Sequence, residues 1–126
     1  KDDIYHALKK SDASFSGFGE AYFTTVNYND VKGWKKHKKM ILNLIVPVGE
    51  VEFIIYDDRD KSPTNGEFFS VKISKKNYLR LTISSGLWVA FKGCGETLNL
   101  LLNIASIEHN PNESINMDLK DVLYEW

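Results

Sequence analysis

The chain of 126 residues is 43% hydrophobic and 13% aromatic, and sixteen basic residues meet seventeen acidic ones for a formal net charge of −1. That length suits one domain able to bury its own core, and the near-neutral balance argues against non-specific attraction to nucleic acid or to an anionic membrane. The single Cys94 rules out an internal disulfide and suits a reducing cytoplasm, while no apolar run reaches the ~18 residues that a transmembrane helix needs.

Residues 1–18 read as an irregular N-terminal segment of this one domain, polar at Lys9-Lys10-Ser11-Asp12 and punctuated by Gly17 and Gly19, with Ile4-Tyr5-His6-Ala7-Leu8 as a turn of helix or an edge strand. No secretory leader is legible there, and the chain opens at Lys1 rather than Met, as expected of a fragment or of a chain that has lost its start. Aromatic and β-branched residues then predict strands over residues 21–26, 31–36, 40–46, 51–56, 67–73, 78–83, 87–91 and 97–105. Turns divide them at Asn27-Tyr28-Asn29-Asp30, Pro47-Val48-Gly49-Glu50 and Ser62-Pro63-Thr64-Asn65-Gly66. Such short, evenly spaced strands predict an all-β sandwich or barrel. The nearly continuous apolar runs 41–46 and 98–104 predict strands covered on both faces, by a barrel interior and by a second sheet or subunit. Residues 119–126 read as a short helix or an edge strand.

Candidates for chemistry are few. The histidines are His6, His37 and His109, and none belongs to a local Ser-His-Asp or Cys-His pattern; Cys94, between Gly93 and Gly95, reads as structural. Lys35 and His37 alternate, so one face of a strand carries both and Lys36 points the other way. If that face is interior, the pair forms a general base or an anion site in a pocket; if it is the barrel mouth, Lys35-Lys36-His37-Lys38-Lys39 is a solvated strand end. Arg59, after Tyr56-Asp57-Asp58, offers a planar fork for phosphate or an ordinary ion pair with a neighbouring Asp. Asn43, Asn99 and Asn103 interrupt apolar strands, and a buried amide must find partners in the packing or in a ligand.

Several of these residues fall into one pattern. Gly49 is followed by a strand, then Asp57-Asp58-Arg59, Ser62-Pro63-Thr64-Asn65-Gly66, and Asn77 through Leu81 to Ile83-Ser84-Ser85-Gly86-Leu87. Val31-Lys32-Gly33-Trp34 precedes this stretch and Asn110-Pro111-Asn112-Glu113 follows it. Over residues 20–115 this resembles the dTDP-4-dehydrorhamnose 3,5-epimerase family, most specifically in the Asp-x-Arg and Ser-Pro-Thr-x-Gly motifs. The resemblance implies an all-β cupin or jelly-roll barrel, a cytoplasmic homodimer, a nucleotide-sugar ligand and a place in bacterial surface-polysaccharide synthesis.

 That ligand is expected to be a dTDP-linked or similar sugar, bound without nucleic acid, membrane, metal or other cofactor.

The departures from the family pattern bear on catalysis. The residue after Gly33-Trp34, where the family has its catalytic His, is Lys35, and the family's second pocket His is replaced by Val89. The catalytic Tyr of the late strand corresponds to Leu102, before Asn103. Cupin metal positions would fall on Lys35, His37, Leu42 and Val89, of which only His37 is a ligand type. The resemblance therefore implies an epimerase-like protein with altered or absent 3,5-epimerase chemistry. Lys35 and His37 are its catalytic candidates, and Arg59, Asn43 and Asn103 its substrate contacts. A replacement proton donor is sought at Tyr22 or Tyr56. The alternatives are a non-catalytic cupin binding or interaction module and a sugar-nucleotide ketoisomerase, which would carry a His pair where Lys35 and His37 stand.

Overall fold

The structure, a computed structural model, describes residues 4–122 and 124–126. Its strands are β1 (Glu20–Thr25), β2 (Val31–His37), β3 (Leu42–Val48), β4 (Glu50–Tyr56), β5 (Phe68–Ser74), β6 (Leu81–Ile83), β7 (Trp88–Gly93), β8 (Leu100–Ala105) and β9 (Ser114–Asn116). They form two antiparallel sheets, in the orders β1-β8-β3-β6 and β5-β4-β7-β2-β9. Because the chain crosses repeatedly between the sheets, the two close on each other as the jelly roll that the strand spacing predicts. Among the described residues, no helix is long and apolar enough to cross a membrane.

Strand alternation builds the core. Leu42, Leu44 and Val46 of β3, with Leu101 of the neighbouring β8, face Val51, Phe53 and Ile55 of β4 and Val89 of β7 between the sheets. Pro47 is tolerated in β3 because the register against β8 shifts between Ile45 and Val48, where a missing N–H costs no ladder bond. Gly49 makes the β3–β4 turn at φ 80°, and a Cβ there would stand 2.3 Å from the Leu98 carbonyl oxygen.

The outer faces differ. On the five-stranded sheet, Trp34, Ile54, Trp88, Ala90 and Val122 form a second buried cluster, with Met117 and Tyr124 of the C-terminal segment packed on it. On the four-stranded sheet, the N-terminal segment crosses the β6 side: the Tyr78 hydroxyl donates to the His6 carbonyl at 2.8 Å, and Arg80 reaches the Ala7 carbonyl at 2.9 Å and Asp12 at 3.1 Å. The β1–β8 side stays open, with Phe23 65% exposed.

Three local expectations change. The strand over 78–83 shortens to β6, because Tyr78 and Arg80 turn to hold the N-terminal segment. The strand over 97–105 begins only at Leu100, because Asn99 is bound into the neighbouring turn. Residues 119–126 contain a 3-10 turn, Leu119–Asp121, in place of a regular helix or edge strand; Leu123 lies outside the described residues. The short β9, which pairs with β2, had no signal of its own in the sequence.

Candidate active site

A cavity of about 310 Å³ lies between the sheets, near the lower end of the range for ligand pockets. Its floor is apolar: Leu42, Leu44, Phe53, Val89, Phe91 and Leu101. Lys32, Lys35, His37 and Asn116 line one wall from β2 and β9, and Tyr22, Thr24 and Asn103 line the other from β1 and β8. The alternation along β2 puts Lys35 and His37 on this inner face. Gly33 lets β2 approach β7, since a Cβ there would meet the Ala90 Cβ at 2.4 Å. Lys36 points outward, 3.0 Å from Asp58 Oδ1 and 4.8 Å from the Trp88 ring centroid.

His37 is only 8% exposed, and its Nδ1 lies 2.7 Å from Glu113 Oε1. Glu113 sits in the 3-10 turn Pro111–Glu113, whose Asn110 cap accepts from the Asn112 N–H. The other carboxylate oxygen accepts from the backbone N–H of Lys39 at 2.8 Å and of Met40 at 2.7 Å. Burial pushes the Glu113 carboxyl up, but the bonds from His37, Met40 and Lys39 outweigh it and hold the group below its ordinary range. An ionised Glu113 only accepts, so His37 Nδ1 carries the proton on that side, and it is Nε2 that holds the lone pair whenever the ring is neutral. Among the described residues Nε2 has no hydrogen-bond partner.

The two lysines sit at the rim. Lys35 is exposed and makes no ion pair among the described residues. Lys32 donates to the Thr25 carbonyl at 2.8 Å. Across the cavity, Asn103 Nδ2 donates to the Tyr22 hydroxyl at 3.0 Å, while its Oδ1 is buried without a partner.

Arg59 stands apart from this group. Its Nε and Nη2 both donate to Asp57, each at 2.9 Å. Asp57 also accepts from the hydroxyls of Ser62 and Thr64, so the Ser-Pro-Thr motif wraps around a buried carboxylate. Bonds from Arg59, then from Ser62 and Thr64, hold the Asp57 carboxyl far below the usual range. Arg59 lines a separate cleft of about 330 Å³ with Phe68, Phe69, Leu81, Ile83 and Leu87, and the two cavities share no lining residue.

Asn43 also lies elsewhere. It faces out of the barrel, accepting from the Thr82 hydroxyl at 2.6 Å and donating to the Ser14 carbonyl at 3.4 Å. Asn99 is fully engaged by Glu50, Gly95 and Val26. The structure thus brings Lys35, His37 and Asn103 together and leaves Arg59 and Asn43 outside. Leu102 pairs with Phe23 and Ile45 on the outer face of β8, so the inward positions of that strand are Leu101, Asn103 and Ala105, of which the first two line the cavity. Tyr56 stacks on Phe68 at 4.7 Å and does not line the cavity, whereas Tyr22 does. The role of Glu113 was hidden in sequence because 76 residues separate it from His37; the Asn-Pro-Asn-Glu segment was its only local trace. Among the described residues, no three His, Cys, Asp or Glu side chains group as a metal site.

No protein-family model matches the chain. A probable low-salt glycan biosynthesis epimerase of Haloferax volcanii is 30% identical over 111 residues, 84% of this chain and 71% of that protein. A spore coat polysaccharide biosynthesis protein of Bacillus subtilis is 25% identical over 113 residues, 86% of this chain and 75% of that protein. The crystal structure of a dTDP sugar isomerase from Desulfovibrio desulfuricans superposes with a TM-score of 0.91 at 36% identity, covering 96% of this chain and 79% of that one.

Proposed function

The chain belongs to the dTDP-4-dehydrorhamnose 3,5-epimerase-like family of cupin barrels, and from that premise we propose that it moves a proton beside the ketone of a nucleotide-linked sugar in polysaccharide synthesis. The observation that carries this reading is the His37–Glu113 pair on the cavity wall. A carboxylate that fixes one ring nitrogen leaves the other as a general base, a role worth about 10²–10⁴ in rate. The reaction class is epimerisation or ketoisomerisation, since both begin by removing a proton α to the carbonyl.

Lys35 and Lys32 supply positive charge at the rim, suited to the diphosphate of the ligand. Arg59, held by Asp57, orders the loop of the second cleft. The protein acts in the cytoplasm, and as a homodimer; the pairing is supported by the open apolar side of the four-stranded sheet, where Phe23 and Val48, with Leu98 just before β8, are 65%, 38% and 48% exposed.

The test is solvent exchange. Incubating the protein with dTDP-4-keto-6-deoxyglucose in D₂O should place deuterium beside the ketone, and His37→Asn should slow this at least ~100-fold. Product NMR separates inversion from a moved keto group. Binding without exchange would favour the second reading, a non-catalytic nucleotide-sugar module, for which Lys35 at the family's catalytic-His position speaks.

A further inference from the structure

Inversion needs a donor on the face opposite the base, and β8 offers none, because its side chains lining the cavity are Leu101 and Asn103. We propose that Tyr22 of β1 is the proton donor of this cavity and that Asn103 is its positioning residue. The inference rests on the proton-transfer reading above and adds the second residue of the transfer.

Three observations converge. Tyr22 lies on the four-stranded sheet and His37 on the five-stranded sheet, so they line opposite walls of one cavity. The Asn103 amide donates to the phenol oxygen at 3.0 Å, which occupies an acceptor site and leaves the phenol proton free to point elsewhere. Tyr22 is 40% exposed, so its hydroxyl can be reprotonated by water after each turnover. Asn103, by contrast, is 2% exposed and leaves its own carbonyl oxygen unpaired. A buried unpaired acceptor is a cost, and the amide's one side-chain bond is the one to Tyr22.

The step balances as an isomerisation. His37 Nε2 takes the proton from the carbon beside the ketone, and the C–H electron pair forms the enolate. The enolate carbon then takes the Tyr22 phenol proton on the opposite face. The phenolate regains a proton from water, and the imidazolium returns one to water.

The experiment follows exchange and inversion together, with dTDP-4-keto-6-deoxyglucose in D₂O. Tyr22→Phe should lose inversion by about 100-fold or more while deuterium still enters at a rate within about threefold of wild type, which also shows the variant to be folded. Asn103→Leu should lower the inversion-to-exchange ratio about tenfold at unchanged KM, a split that a merely structural role would not produce. Inversion by Tyr22→Phe at the wild-type rate would overturn the donor assignment and leave the base reading standing. Absence of exchange in the wild-type protein would overturn both.

Discussion

Replacing Glu113 with Gln separates the structural and chemical roles of the buried pair. The carboxylate accepts three hydrogen bonds, from His37 at 2.7 Å, Met40 N at 2.7 Å and Lys39 N at 2.8 Å. The amide oxygen of Gln can keep both backbone donors, so the fold loses only the charge of the acceptor and exchanges the charged bond to the ring for a neutral one. Bonds to charged groups contribute about 1.5–3 kcal/mol and neutral ones about 1, so E113Q should cost about 2 kcal/mol in urea denaturation. Glu113→Ala strands both N–H groups and should cost about 3–5 kcal/mol. The chemical effect of E113Q is larger. Its amide N–H₂ must face the ring, so Nδ1 becomes an acceptor and the proton moves to Nε2. His37 then has no lone pair toward the cavity, and deuterium exchange should fall by about 10²–10⁴. Exchange at the wild-type rate in a folded E113Q protein would refute the assignment of His37 as the base.

Stability should depend on acid. The Asp57 carboxyl is held low by Arg59, Ser62 and Thr64, and that of Glu113 by bonds that outweigh its burial. Both contributions are complete above the unfolded carboxylate values of about 4 and are lost as pH falls through the lower folded values; denaturant midpoints should therefore drop steadily below about pH 4, and less so in E113Q. Lys35→Ala should weaken dTDP binding in calorimetry by about tenfold, whereas Arg59→Ala, away from the cavity and paired with Asp57, should change it by less than about threefold; the reverse order would place the diphosphate in the Arg59 cleft. Phe23→Glu, on the open face of the four-stranded sheet, should convert the proposed homodimer to a monomer in light scattering; a dimeric mass in both proteins would locate the interface elsewhere, and a monomeric mass in the unmodified protein would refute the homodimer.

The sequence by itself determined the all-β class and the succession of β1 to β8 along the chain, because alternation and turn chemistry are local and have a period of two residues. It also placed Lys35 and His37 on one side and Lys36 on the other, as the structure has them. Only the tertiary structure decided which polar residues meet. Glu113 reaches His37 across 76 residues, and Asn103 reaches Tyr22 across 81, through pairings that no local pattern encodes. Strand parity, fixed by the register of β8 against β1 and β3, turned Leu102 outward and Asn103 inward, a one-residue difference that alignment of a family motif does not resolve. Arg59 shows the same limit from the other side: its motif is legible in sequence, but whether its fork meets a phosphate or Asp57 depends on how the loop folds back, and here the loop closes on the carboxylate two residues away.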